Sequence, residues 1–359
     1  MGGFDDVNKF LEKFQRVPVT EKIFFVQHLR VMIRSGVSLS SALNVLSAQS
    51  SNKRFKTVLT DIKNNVEKGN AFSDSIKKHK KVFGDLFVSM IKAGEMGGKL
   101  EEVLNQLFVQ MKKDHEIKSK VRGAMIYPAV VLFAMVAIGI LMMVFVVPKL
   151  AEVFAESATT LPLPTRILMA SSDFVVNNGI LIIIIITFLI GGFIYTIKTP
   201  KGKHYFDFFL LKLPVFGKII KKINLARFSR TLSSLLKTDI SITKTLNITS
   251  NILGNDIYKK VVLEAADKVT KGISIAKTLK EKEDIFPPVV TEIITVGEET
   301  GSLDDVLDEM AGFYEEEIDQ TMKNLPSIIE PVLILFLGVG VALMAMAVIM
   351  PMYSLTDAI

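Results

Sequence analysis

The chain carries two kinds of hydrophobic pattern. In the first, apolar residues recur every three or four positions among charged ones. Phe24, Phe25, His28, Leu29, Met32 and Ile33 fall on one helical stripe, and Leu225, Phe228, Leu232, Leu235 and Leu236 form a second. No alternating, strand-like run of comparable length occurs, so each such region predicts about four to six short helices packed as a bundle. Ser35-Gly36 and Lys68-Gly69 mark helix ends, because glycine takes the left-handed cap conformation without steric cost. In the second pattern polarity vanishes. Ala129–Val147 holds no charged or amide side chain, and a helix of that length spans about 28 Å, close to the hydrocarbon thickness of a bilayer. Ile180–Ile197 and Val332–Met350 read the same way, and core helices seldom run so long without a polar position. None of the three is N-terminal, so none reads as a cleaved signal peptide.

The two patterns recur in register. "FFVQHLRVMIRSGVSLSSALNVLS" begins at Phe24, and "RFSRTLSSLLKTDISITKTLNITS" begins 203 positions later at Arg227. That offset pairs Phe25 with Phe228, Leu29 with Leu232, Leu43 with Leu246, Gly69 with Gly272 and Phe83 with Phe286. It also pairs Pro128 with Pro331 and Pro148 with Pro351, so the duplication runs through the first and third apolar runs without an insertion. The chain reads as two copies of one unit, a helical domain followed by a transmembrane helix. The middle span returns the chain to its starting side.

Charge sets the expected orientation. Lys112, Lys113, Lys118, Lys120 and Arg122 precede the first span, and a longer set from Lys198 to Arg230 follows the second, whereas the connection between them carries only Lys149 and Arg166. By the positive-inside rule both helical regions face the cytoplasm. The expected order is a first cytoplasmic helical domain over 1–125, a transmembrane helix over 126–148, an extracytoplasmic connection over 149–179, a second span over 180–197, a second cytoplasmic domain over 198–328, a third span over 329–351 and an extracytoplasmic tail over 352–359. The fold class is all-α, polytopic in the membrane. The basic residues read as topology signals and lipid-headgroup contacts; without interleaved aromatics they do not suggest nucleic acid.

Candidate chemistry is sparse. Cysteine is absent, which excludes disulfides, thiolate metal sites and cysteine nucleophiles. His28, His79, His115 and His204 stand in no metal-ligand spacing, so no metal or cofactor is expected. "AGEMGGKLEEVL", residues 93–104, has a Gly-Gly-Lys that invites comparison with a phosphate-binding loop. Such a loop opens on glycine and closes on a hydroxyl residue, and here Ala93 and Leu100 occupy those places. The second copy reads "VGEETGSLDDVL": Gly94, Glu95 and Gly98 recur as Gly297, Glu298 and Gly301, while Lys99 becomes Ser302. The stretch therefore reads as a turn between helices, with acidic residues favoured in the first turn of the second helix by its dipole. Any ATP must be hydrolysed by another protein.

The duplicated Gly-Glu-x-x-Gly-x-Leu turn, the "KVRGAMIYP" of residues 120–128 and the proline twenty positions later at Pro148 resemble the inner-membrane platform protein of type IV pilus and type II secretion machines, the general-secretion F family. The resemblance covers the chain from about Phe24 to Pro351. It implies a non-enzymatic scaffold whose cytoplasmic domains engage a hexameric assembly ATPase and whose membrane helices present pilin or pseudopilin subunits. Other inner-membrane components of the machine and further copies of the chain are the remaining partners expected. The alternative is a membrane receptor or signalling adaptor. A secondary transporter fits less well, because the first and third apolar runs hold no ionisable or amide group.

Candidate partner-binding residues are those of the two turns, Gly94, Glu95, Gly98, Gly297, Glu298 and Gly301, and the membrane-entry residues Tyr127, Pro128, Glu330 and Pro331. The prolines are expected to begin helices. One asymmetry adds to them: Lys112 and Lys113 become Glu315 and Glu316 in the second copy. Opposite charge at equivalent positions predicts that these approaches to the membrane lie side by side, within a chain or between protomers.

Overall fold

The computed structural model describes residues 16–155, 163–238 and 240–356. Among them every regular element is helical. The first repeat contains α1 (Val19–Arg34), α2 (Leu39–Gln49), α3 (Lys53–Glu67), α4 (Phe72–Lys77), α5 (Lys80–Phe83) and α6 (Asp85–Met96), followed by the long α7 (Leu100–Leu141) and α8 (Val147–Ala155). Helices α9 (Leu163–Asn177), α10 (Gly179–Lys198) and α11 (Pro200–Lys212) come next. The second repeat contains α12 (Phe216–Leu236), α13 (Ile242–Ile252), α14 (Asp256–Val269), α15 (Ile275–Lys280), α16 (Pro288–Thr300) and the long α17 (Leu303–Thr356). Residues 156–162 of the expected extracytoplasmic connection and 357–359 of the expected tail lie outside the described residues.

Contacts divide the chain into two units. The first holds the described residues up to Lys118 together with Asp207–Ile318, so both polar repeats share one unit. Each repeat is organised on three packed rings. Phe25 and Phe55 lie edge-to-face with centroids 5.7 Å apart, and Phe83 packs on both. At the equivalent positions Phe228, Tyr258 and Phe286 form the same triad, with centroids 5.3 Å apart in each of two pairs. Burying one such ring contributes about 1.5–3 kcal/mol. Tyr258 adds a hydroxyl and satisfies it by donating to the Ile285 carbonyl at 2.7 Å; burial pushes its pKa well above the usual tyrosine range. Caps repeat too. Asn52 accepts from the Phe55 amide at 2.9 Å and opens α3, and its counterpart Asn255 accepts from Ile257 and opens α14. The core around Phe25 takes in Leu235, Ile240 and Ile248 of the second repeat, which joins the two bundles.

The second unit holds Ser119–Phe206 with the chain from Asp319 onward. Among the described residues three helices are long and apolar enough to cross a membrane, and they coincide with the three predicted runs. Their apolar windows are almost entirely exposed, as lipid-facing surface would be. Ser172 Oγ donates to the Met143 carbonyl at 2.5 Å and Thr165 Oγ1 to the Ala347 carbonyl at 2.8 Å, so α9 is fastened on both sides.

Pro128 and Pro331 do not begin helices. Both stand inside helices, α7 of 42 residues and α17 of 54. A new helix needs an N-cap acceptor before the proline, and Tyr127 and Glu330 are poor ones, so the helices continue despite the missing hydrogen bond. Pro148 is accommodated differently. Its ring would oppose the carbonyl of Val144, and that residue lies in a π-helical turn over Met142–Val146.

Candidate functional site

The turn "AGEMGGKLEEVL" is assembled from three residues with separate tasks. Gly94, near the end of α6, faces Val103 of α7 so closely that a Cβ on it would stand 2.7 Å from a Val103 methyl carbon. Gly98 has a φ of +66°, the left-handed conformation that lets the chain reverse into α7. Glu95, between them, turns its carboxylate back onto α4, accepting from the amide of Phe72 at 2.6 Å and of Ser73 at 2.9 Å. Those amides begin a helix and have no intrahelical acceptor, so the charge is both a hydrogen-bond partner and a complement to the helix dipole.

The second copy reproduces each contact. A Cβ on Gly297 would stand 2.6 Å from a Val306 methyl carbon, Gly301 has a φ of +71°, and Glu298 accepts from the amide of Ile275 at 2.7 Å and of Ala276 at 3.0 Å. The turn ties the end of one helix to the start of another and crosses a third at close range, which accounts for its glycines and carboxylate without a bound phosphate.

The charge inversion is also realised. Lys113 Nζ lies 3.1 Å from Glu315 Oε2, linking α7 of the first repeat to α17 of the second. Lys112 instead lies 3.9 Å from Glu116 on its own helix, and Glu316 is exposed. Glu315 is almost buried, and its second partner is Arg230 of α12, which donates through Nε at 2.8 Å and Nη2 at 3.1 Å. Arg230 also pairs with Asp308, and Lys237 reaches the same carboxylate at 3.0 Å. Between the repeats, Arg227 Nε donates to Asp114 at 2.9 Å and Gln110 Nε2 to Thr231 Oγ1 at 3.1 Å. In the second unit, Lys120 lies 2.6 Å and Lys323 2.7 Å from Asp319, and their hydrogen bonds hold the Asp319 carboxyl down at about 2.

In the sequence Arg230 reads only as one of the basic residues that set orientation, not as a candidate site residue. Its counterpart in the first repeat is Gln27, so the repeat pattern gives it no emphasis, and the signal that would have found it is a lone arginine facing the inverted acidic cluster. Tyr127, Glu330 and Pro331 are exposed on their helices, whereas Pro128 is buried. Among the described residues no group of three His, Asp or Glu side chains could hold a metal ion.

Comparison with known proteins agrees with the internal repeat. A family model described as type II secretion system (T2SS), protein F, matches the chain twice, over residues 25–148 and 228–351. The chain is 34% identical over 354 residues to the type IV pilus assembly protein PilC of Thermus thermophilus, covering 97% of this chain and 87% of that one. It is 34% identical over 337 residues to the PilC of Myxococcus xanthus, covering 94% and 81%. It is 32% identical over 331 residues to the type II secretion system protein F of Vibrio cholerae, covering 92% and 81%.

Proposed function

The chain belongs to the type II secretion system protein F family, and on that premise we propose that it is a non-enzymatic inner-membrane scaffold of a type IV pilus or type II secretion machine. The carrying observation is the family segment in duplicate, each copy a helical repeat running into a helix fit to cross a membrane. Three apolar helices suit a multi-pass inner-membrane protein. The lysine and arginine distribution supports a cytoplasmic position for both repeats. There they engage a hexameric assembly ATPase through the surface around the turns at Gly94–Gly98 and Gly297–Gly301, where Met96 is exposed. The membrane-entry residues near Tyr127 and Glu330 contact pilin or pseudopilin subunits as these are inserted or extracted. The scaffold works as a homo-oligomer.

The test is mild cross-linking in native membranes followed by affinity purification of the chain and mass spectrometry. Recovery of a hexameric ATPase with a pilin-like subunit is the expected result. Recovery of a sensor kinase or a transport substrate-binding protein in their place would overturn the reading.

A further inference from the structure

The two repeats are packed head to tail, and one half of that arrangement is left open. In the first repeat, the face formed by α6 and α7 is covered by α12 and α13 of the second: Gln110 is 4% exposed beneath Thr231, and Ile240 and Ile248 sink into the neighbouring core. Among the described residues, the equivalent face of the second repeat, between α16 and α17, has no such cover. Its residues Val289, Val296, Met310, Phe313 and Tyr314 line a groove, with Phe313, the counterpart of buried Gln110, 59% exposed and Val296 52% exposed. The complementary surface is open as well. Val31, Val37 and Val45 on and beside α1 and α2 are 49%, 38% and 39% exposed, whereas their counterparts Ser234, Ile240 and Ile248 are buried at 2%, 8% and 7%.

We propose that the α16–α17 groove takes the α1–α2 face of a second copy of the chain, set against it as the second repeat is set against the first within one chain. The in-chain contacts define the new ones by the 203-residue offset. Gln110 against Thr231 becomes Phe313 against His28, whose ring stacks beside Phe24 with centroids 3.8 Å apart, so an exposed ring meets an aromatic pair. Lys113 against Glu315 becomes Glu316 against Lys112 of the second copy. Both charges change sign and the pair stays complementary. The Asp114–Arg227 pair is not repeated, because its counterparts are Glu317, which Lys222 engages at 2.7 Å, and Phe24. Apolar area therefore carries more of this contact than of the internal one. A contact between two different faces is heterologous, and successive copies close a ring when the rotation between them permits.

The surface rests on the homo-oligomer reading above, and the experiment separates the two. The chain has no cysteine, so introduced thiols are unambiguous. Two differently tagged full-length chains, one carrying His28→Cys and the other Phe313→Cys, are co-expressed and treated in native membranes with a short bis-thiosulfonate cross-linker. A mixed-tag dimer is expected for that combination. Lys112→Glu should lower its yield about fivefold, and adding Glu316→Lys should restore it. Products joining His28→Cys only to itself, or Phe313→Cys only to itself, would show a two-fold symmetric contact and overturn the proposal. Mixed-tag co-purification in mild detergent without the His28–Phe313 product would overturn this surface while leaving self-association standing. A monomer in both assays would overturn both.

Discussion

Lys113 of the first repeat meets Glu315 of the second at 3.1 Å because the second copy carries acids where the first carries lysines. The pair is not isolated. Arg230 holds Glu315 from the other side, so the carboxylate is fixed chiefly within its own repeat and Lys113 adds the bond between repeats.

Exchanging charges across that pair should fail to rescue. Lys113→Glu alone is expected to cost no more than about 1 kcal/mol, since the lysine is partly exposed. The exchange Lys113→Glu with Glu315→Lys turns a lysine toward Arg230 and should be less stable than either wild type or Lys113→Glu. Arg230→Met, which leaves Glu315 and Asp308 without their shared cation, should cost about 2–4 kcal/mol. Denaturant unfolding of the purified full-length variants in detergent measures all three, and recovery in the exchanged pair would contradict the role given to Arg230.

Removing the turn carboxylate should loosen α4 or α15. Glu95→Ala and Glu298→Ala each strip two amides of a charged acceptor, with an expected loss of about 1–3 kcal/mol per variant. Hydrogen exchange at Phe72 and Ser73, or at Ile275 and Ala276, should accelerate selectively. Unchanged protection at those amides would rule the cap out.

The glycines of the turn should separate by mechanism. Gly94→Ala and Gly297→Ala push a methyl group into Val103 or Val306, an overpacking cost of about 1–3 kcal/mol that a second change to Val103→Ala or Val306→Ala should partly relieve. At Gly98 and Gly301 nothing lies in the way of a Cβ, so alanine there costs about 1–2 kcal/mol of backbone strain that no neighbouring change relieves. Double-mutant cycles on thermal stability distinguish the two, and equal relief at both positions would contradict the assignment.

Much of this was legible in the sequence because the chain states it twice. The turn and two of the three rings of each core, Phe25 with Phe228 and Phe83 with Phe286, stand out at paired positions, while the third ring pair, Phe55 with Tyr258, and the Asn52 and Asn255 caps lie at the same offset and become evident only in the structure. The helix through Pro128 runs against the expectation that proline opens a helix, and the residue that decides it, Tyr127, is visible in the sequence as one that cannot cap. The packing of Ile240 and Ile248 into the first repeat's core was not legible. Periodicity tells which face of a helix is buried and leaves open what covers it.

The Asp319 cluster sets a pH dependence. Hydrogen bonds from Lys120 and then Lys323 hold its carboxyl at about 2 against an ordinary 3.8. A folded-state pKa below the unfolded one contributes stability that is fully present above pH 3.8 and is lost as pH falls through about 2. The difference in thermal stability between wild type and Asp319→Asn should hold steady from pH 7 to about 4 and close on further acidification. A difference that widens with acid would contradict the sign.

Glu95 and Glu298 also act as gauges of length. Each carboxylate spans from the end of one helix to two successive amides of another, at 2.6 to 3.0 Å. Aspartate carries the same charge but is shorter by one carbon–carbon bond, about 1.5 Å, more than a hydrogen bond of this kind can absorb. The residue at these two positions is fixed by a distance between helices, and a substitution that conserves charge there would not conserve the fold's measure.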